Sequence, residues 1–151
     1  MSKDIFGEAM KDFFNQQYTE DIVVQAPDFD DDIIPIPYLF RDYTEMPELE
    51  LSYGKTLDVG CGAGSHSLYL QNEKKLEVTA IDISQGAVDI AKLRGVQIAL
   101  NEDIYTHKDN TYDTLLFLMN GSGIIGKLEN IDRFFTHLKT LLSPNGQILI
   151  D

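Results

Sequence analysis

With a single cysteine, Cys61, the 151-residue chain has no partner for an internal disulfide. That usage fits a reducing compartment, and a cytoplasmic location is expected. Basic residues are scarce: 12 Lys and Arg face 25 Asp and Glu, for a net charge of −13. Such a surface repels phosphate backbones, and no Lys/Arg cluster offers a local exception, so no nucleic-acid partner is expected. Long apolar runs are missing too. The longest, Leu115 to Met119, falls far short of the roughly 20 residues a membrane span needs, so no membrane partner is expected. Met1-Ser2-Lys3-Asp4-Ile5-Phe6 has neither the positive stretch nor the apolar core of a signal peptide. The acidic run Asp28, Asp30, Asp31, Asp32 carries no signal of a metal-binding turn and reads as a solvated loop, so no metal is expected. There is no internal repeat and no low-complexity tract.

What is present is an ordinary globular balance, 43% hydrophobic and 25% charged, in a length that suits one domain's worth of core. Ile5, Phe6, Met10, Phe13 and Phe14 recur at helical spacing and predict a short amphipathic helix. Residues 20 to 50 hold four prolines and many acids and read as an irregular arm. Residues 1–53 are therefore expected to form a helix plus a cap or lid, and residues 54–151 a regular core.

In that core Thr56 to Val59 is a short strand running into glycines, followed by a helix from Ser65 to Asn72. Leu76 to Ile81 is a second strand, and Ser84 and Gly95 are placed to cap the helix after it. Val96 to Leu100 is a third strand. Asp113 to Met119 is a fourth, apolar enough to be buried on both faces. Ile131, Phe134, Phe135, Leu138, Leu141 and Leu142 mark one stripe of a helix, and Pro144-Asn145-Gly146 turns into a last strand, Gln147 to Ile150. Alternating strands and helices with short connections predict an α/β fold, a doubly wound, mostly parallel sheet of about five strands flanked by helices.

Ligands in such sheets sit at the carboxyl ends of the strands. The informative polar residues fall there: Asp58 to Gly64, Asp82, Glu102-Asp103 and Asn120 end the first four strands in turn. The glycines permit a tight turn and close approach of backbone amides to a ligand. Their spacing, Gly60-x-Gly62-x-Gly64, departs from the dinucleotide pattern, which would place its third small residue where Ser65 stands. Asp58 precedes the first glycine, where it would oppose a pyrophosphate but suit a cationic group such as the ammonium of a methionine moiety. Asp82 lies some twenty residues on, suited to two ribose hydroxyls. Cys61 reads as a small residue filling the loop, not a nucleophile. His107 and His137 read as surface residues. His66 falls on the first turn of the helix after the loop, close enough to a cofactor to matter, though an exposed and idle histidine is the better reading. Tyr18, Tyr38 and Arg41 are candidates to fold back as a lid, with Arg41 either pairing with a ligand carboxylate or sitting idle on the surface.

The ordered set Leu57-Asp58-Val59-Gly60-Cys61-Gly62-Ala63-Gly64, Ala80-Ile81-Asp82-Ile83-Ser84, Glu102-Asp103, Tyr112 to Leu116 and Leu141 to Gln147 resembles the class I S-adenosylmethionine-dependent methyltransferases over about two thirds of the chain. The resemblance implies S-adenosylmethionine as cofactor. The loop Asp58, Gly60, Cys61, Gly62 and Gly64 would then embrace the methionine part, and Asp82 would take the ribose diol. Ile83 would pack on adenine, Glu102-Asp103 would lie at its edge with Asp103 accepting from the amino group, and Met119 and Asn120 would line the methyl-donor end. The segment Asn120-Gly121-Ser122-Gly123 lacks the Asn/Asp-Pro-Pro-aromatic arrangement of amino-group methylases of bases and glutamine, and there is no Pro-Cys pair to attack a pyrimidine. With the acidic charge, this points to a small-molecule acceptor, with a protein acceptor as the open alternative.

Family members usually add a helix and two antiparallel strands after the fifth strand, whereas the sequence stops at Asp151. The fold is thus expected to lack those strands, leaving a sheet edge open to pairing with a second copy, and activity of the shortened form is open. Two other readings stay open: a non-catalytic nucleotide-binding or interaction domain that keeps the fold, and an NAD-binding oxidoreductase domain.

Overall fold

The computed structural model describes residues 3–25, 27, 30–43, 46–119 and 121–151. Asn120 and Asp28 lie outside the described residues. The core is a five-stranded sheet in the order β5-β4-β3-β6-β7, built from β3 (Thr56–Val59), β4 (Val78–Asp82), β5 (Ala99–Asn101), β6 (Tyr112–Phe117) and β7 (Leu142–Ile150). All four pairings are parallel, so both faces must be covered. The chain adds strands in one direction from β3 to β5, then returns to the other side of β3 for β6 and β7. The order therefore reverses between β3 and β6, where a crevice opens at the carboxyl ends of the strands.

Side chains alternate across each strand with a period of two. In β3, Leu57 and Val59 join the cluster of Ile81, Leu115, Phe117, Phe134, Leu138 and Leu141. That is the face covered by α5 (Ile131–Leu141), whose predicted stripe supplies Phe134, Leu138 and Leu141. On the opposite face, α3 (Ser65–Asn72) packs Leu70 against Val78 and Leu116. There α4 (Gln85–Arg94) packs Val88 and Ala91 against Ala80 and Ala99. The Ser84 hydroxyl accepts from the Ala87 amide, and Gly95 ends α4 in the left-handed region, as their positions suggested.

The second and fourth strands lie within two residues of the sequence reading at each end, and three elements differ by more. The third strand is shorter and later, Ala99–Asn101, because Val96 is drawn into the α4 cluster before the chain reaches the sheet. The last strand starts earlier: Leu142 pairs with Tyr112 and Gln147 with Thr114, so Pro144-Asn145-Gly146 forms a bulge inside β7. The arm is not irregular throughout. It holds an antiparallel hairpin, β1 (Ile22–Val24) with β2 (Asp32–Ile34), a 3-10 turn Ile36–Phe40 and a helix α2 (Pro47–Leu51).

The predicted N-terminal helix α1 (Ile5–Phe14) docks on α4. Gly7 and Gly86 touch so closely that a Cβ on Gly86 would lie 2.5 Å from the Gly7 Cα. Asp4 accepts from the Gly7 and Gly86 amides at 2.9 and 3.0 Å and from the Ser84 hydroxyl at 2.9 Å, tying the two helix starts together.

Candidate functional site

The crevice at the strand ends holds two cavities that share Gly60, Asp82 and Ile124. One, of about 170 Å³, is lined by Val59, Ile81, Ile83, Glu102, Asp103 and Tyr105. The other, of about 270 Å³, is lined by the loop Gly60 to Ala63 together with Ser65, His66, Leu118 and Met119. Phe6, Ile34, Leu39 and Tyr43 close it from the N-terminal side. A third cavity, of about 450 Å³, shares Ile34, Tyr43 and Met119 with the second and is lined further by Asp32, Tyr38, Arg41, Met46 and Asp151.

The loop leaves β3 with Gly60, Gly62 and Gly64 all at positive φ, +74, +52 and +80°, a conformation that side-chain-bearing residues rarely adopt. At Gly60 an added Cβ would meet Ile124 Cδ1 at 3.3 Å, narrowing the throat between the cavities, while Gly62 faces open space. Gly64 does something else. It is absent from the cavity walls, and a Cβ there would lie 2.7 Å from Val96 Cγ2 and 3.0 Å from Ala91 Cβ.

Asp82 sits at the junction, its Oδ2 accepting from the Gly62 amide and its Oδ1 from the Ser84 amide, each at 2.8 Å. Burial raises its pKa and these two amide bonds oppose the rise. One carboxylate thus fixes the relative position of the loop and the start of α4, with oxygen lone pairs remaining for a ligand.

Asp58 does not line either cavity. It lies on the α3 face of β3, 1% exposed, and accepts from the Ser67 hydroxyl at 2.5 Å. The reason is register: Leu57 and Val59 point to the α5 face, so Asp58 points under the loop into the first turn of α3. Burial pushes its carboxyl up, partly offset by the charge of His66 and the bonds at Ser67. Asp58 is therefore placed to anchor the loop, not to meet an ammonium directly.

Ile83 is 78% exposed beside the 170 Å³ cavity, with Glu102 and Asp103 across from it. Asp103 Oδ1 accepts from the Tyr105 amide at 2.9 Å, and its carbonyl accepts from the Thr106 and His107 amides. Cys61 is buried in the loop, and burial pushes its thiol well up, as suits a filler and not a nucleophile. Met119 takes φ +61° and its sulfur accepts from the Tyr43 hydroxyl at 3.0 Å. Arg41 stacks between Tyr38 and Tyr43, 3.6 and 4.6 Å from their ring centroids, on the wall of the 450 Å³ cavity. Tyr18, 86% exposed, is no part of a lid.

Two histidines expected on the surface are buried. His66 packs its ring 4.3 Å from Tyr43 and lines the 270 Å³ cavity. Its Nε2 is buried with no hydrogen-bond partner among the described residues, and burial pushes its pKa down. An unpaired buried polar atom beside a cavity is a point where a ligand can supply the missing bond. His107 bridges Glu102 at 2.6 Å and the Tyr112 hydroxyl at 2.9 Å, so it backs the Glu102 wall. His137 meets the Ile104 carbonyl through Nε2 at 2.7 Å. Sequence reasoning also missed Phe6, Ile34, Leu39 and Tyr43, which come from the N-terminal helix and the arm. For His66 the available signal was its place two residues after the last loop glycine.

Fold and site together define a Rossmann-like α/β domain whose cleft lies at the switch point of a parallel sheet. Residues 57–150 match the family model described as a methyltransferase domain, and the chain belongs to that family. Its structure is similar to that of an S-adenosylmethionine-dependent methyltransferase from Bacteroides fragilis in complex with S-adenosyl-L-homocysteine. The TM-score is 0.90 at 45% identity, covering 98% of this chain and 64% of that one. Among curated proteins it is 26% identical over 117 residues to phosphoethanolamine N-methyltransferase 3 of Arabidopsis thaliana, covering 73% of this chain and 23% of the relative. It is 31% identical over 103 residues to an uncharacterized protein of Synechococcus, covering 64% of this chain and 25% of that protein. The chain thus spans about a quarter of these curated relatives. Among the described residues no helix is long and apolar enough to cross a membrane, and no group of three or more His, Cys, Asp or Glu could hold a metal ion.

Proposed function

We propose that residues 54–151 form the cofactor-binding core of an S-adenosylmethionine-dependent methyltransferase, capped by residues 1–53, that acts on a small molecule in the cytoplasm. The observation that carries the reading is the pair of cavities joined at Gly60, Asp82 and Ile124, with the orphaned His66 Nε2 beside the larger one. In this reading Asp82 holds the ribose hydroxyls, and Ile83, Glu102 and Asp103 hold adenine in the smaller cavity. Gly60 to Ala63 and His66 hold the methionine portion, and Met119 borders the methyl end, with Asn120 beside it in sequence. The bound cofactor supplies a methyl group on a sulfonium, whose transfer to an acceptor lone pair leaves a neutral thioether and needs no acid.

The protein's part is therefore to align the two reactants and keep water out. Tyr43 and Met119 separate the cofactor cavity from the 450 Å³ one, which is the natural place for the acceptor. The acidic net charge of −13 favours a small molecule over a nucleic acid, and the Arabidopsis relative is by name a phosphoethanolamine methyltransferase.

Calorimetry with S-adenosylhomocysteine, S-adenosylmethionine and NAD tests the reading. Tight binding of the two sulfur nucleotides, abolished by Asp82→Ala and absent for NAD, is the expected result. A folded protein that binds neither sulfur nucleotide overturns it and favours a non-catalytic domain. The outer strand β7 is proposed to pair with a second copy, which predicts a dimer in sedimentation experiments. A monomer at all concentrations removes that idea.

A further inference from the structure

Behind the glycine loop, outside the cofactor cavities, α4 ends in Arg94, a half-buried cation with no carboxylate within salt-bridge distance among the described residues. Its bonds all go to two other segments. Nη1 donates to the Ala63 carbonyl at 2.7 Å and to the Ser65 hydroxyl oxygen at 2.9 Å, and Nη2 donates to the Phe40 carbonyl at 3.1 Å. The Ser65 hydroxyl in turn donates to the Leu39 carbonyl at 2.8 Å. The guanidinium also lies 5.0 Å from the Phe40 ring centroid, and that ring packs on Phe13 of α1 at 4.8 Å.

Ala63 and Ser65 belong to the loop and the start of α3, Leu39 and Phe40 to the 3-10 turn of the arm. Leu39, Ala63 and Ser65 all line the 270 Å³ cavity. One planar guanidinium, with donors fixed in a fork, thus pins two walls of that cavity, which meet at the Ser65–Leu39 hydrogen bond, to each other and to the end of α4. A second polar tie of the arm at this cavity is the Tyr43 hydroxyl, shared between Met119 Sδ at 3.0 Å and the Tyr38 carbonyl at 3.3 Å. It reaches the β6 side of the cavity, whereas Arg94 reaches the glycine loop.

We propose that Arg94 is a positioning residue that couples the arm to the cofactor loop, so that filling the cavity tightens the 3-10 turn Ile36–Phe40 and closes the Leu39 wall. The inference rests on the cofactor reading above. Arg94 does not touch the cofactor; it acts through Ala63, Ser65 and Phe40. A lysine keeps the charge but has no planar fork, so it cannot hold both walls in the same geometry.

The test compares the full chain with Arg94→Lys and, as a gentler variant, Ser65→Ala. It uses S-adenosylhomocysteine calorimetry and amide hydrogen exchange over residues 36–43 and 60–66, each with and without the nucleotide. In the unchanged protein the nucleotide is expected to slow exchange in both segments. In Arg94→Lys, affinity falls about tenfold, the scale of one lost charged hydrogen bond; the loop is still protected, and protection of the turn is lost. Ser65→Ala shows the same pattern more weakly. A merely structural Arg94 would instead raise exchange across the whole fold and leave the nucleotide-dependent difference at the turn intact, which overturns the proposal. Arg94→Lys with unchanged affinity and protection overturns it as well. Failure of the unchanged protein to bind the nucleotide overturns the cofactor reading and the coupling together, and so is told apart from failure of the coupling alone.

Discussion

Gly64→Ala isolates what the last loop glycine does. At φ +80° a residue with a Cβ costs about 1–2 kcal/mol in backbone strain. The new methyl would also sit 2.7 Å from Val96 Cγ2 and 3.0 Å from Ala91 Cβ, and overpacking of that kind costs about 1–3 kcal/mol. The expected loss is therefore about 2–5 kcal/mol, read from urea unfolding with an unchanged slope. A domain of ordinary stability survives that loss. Val96→Ala should relieve the closer of the two clashes but neither the Ala91 contact nor the strain, so the two substitutions together should cost about 1 kcal/mol less than their sum. S-adenosylhomocysteine affinity should fall with Gly64→Ala and partly recover in the double variant, because here the glycine serves packing of the loop on α4. Additive stabilities would refute the steric reasoning. No recovery of affinity would mean that Gly64 faces the cofactor after all.

Ile83 presents the opposite case. It is 78% exposed on the wall of the 170 Å³ cavity, so Ile83→Ala should leave unfolding stability within about 0.5 kcal/mol while weakening nucleotide binding about tenfold through lost apolar contact. Equal affinity would remove Ile83 from the adenine site. For His66, burial holds the folded pKa below the ordinary histidine value of 6.5. The unfolded chain then takes up the proton first, so stability is fully present above that value and is lost as the pH falls from it toward the folded pKa. Asp58, whose pKa burial raises and the His66 charge lowers, contributes the opposite slope, so the comparison with His66→Gln reads the imidazole together with its effect on Asp58. The variant should show a flatter stability profile below about pH 6.5, and bound S-adenosylhomocysteine should move the His66 ring resonances; an unchanged profile and unmoved resonances would contradict both the burial and the contact.

The core was legible from local chemistry alone. Alternating apolar strands and an amphipathic stripe such as Phe134, Leu138 and Leu141 depend only on the period of each element, and Ser84 and Gly95 cap α4 through their own backbone preferences. The ordering of Asp82, Ile83, Glu102 and Asp103 at strand ends follows because a parallel sheet sends every carboxyl end to one side. These residues do meet at one cleft.

Other features depend on contacts between distant segments. Which way Asp58 points was a question of strand register, and register is set by packing of Leu57 and Val59 on α5. His66 looked like a surface histidine because nothing within α3 buries it; Tyr43, from the arm, does. The arm itself, with its prolines and acids, carries no periodic signal. Yet its Ile34, Leu39 and Tyr43, with Phe6 of α1, close the cavity, with α1 held by the bond from the Gly86 amide of α4 to Asp4 and the arm by Arg94. The parallel sheet, its glycine loop and the acid that follows were already determined by the amino-acid sequence, because they rest on spacing along the chain. Which side chains face the cleft and which hold the loop was decided only in three dimensions, by burial against residues tens of positions away.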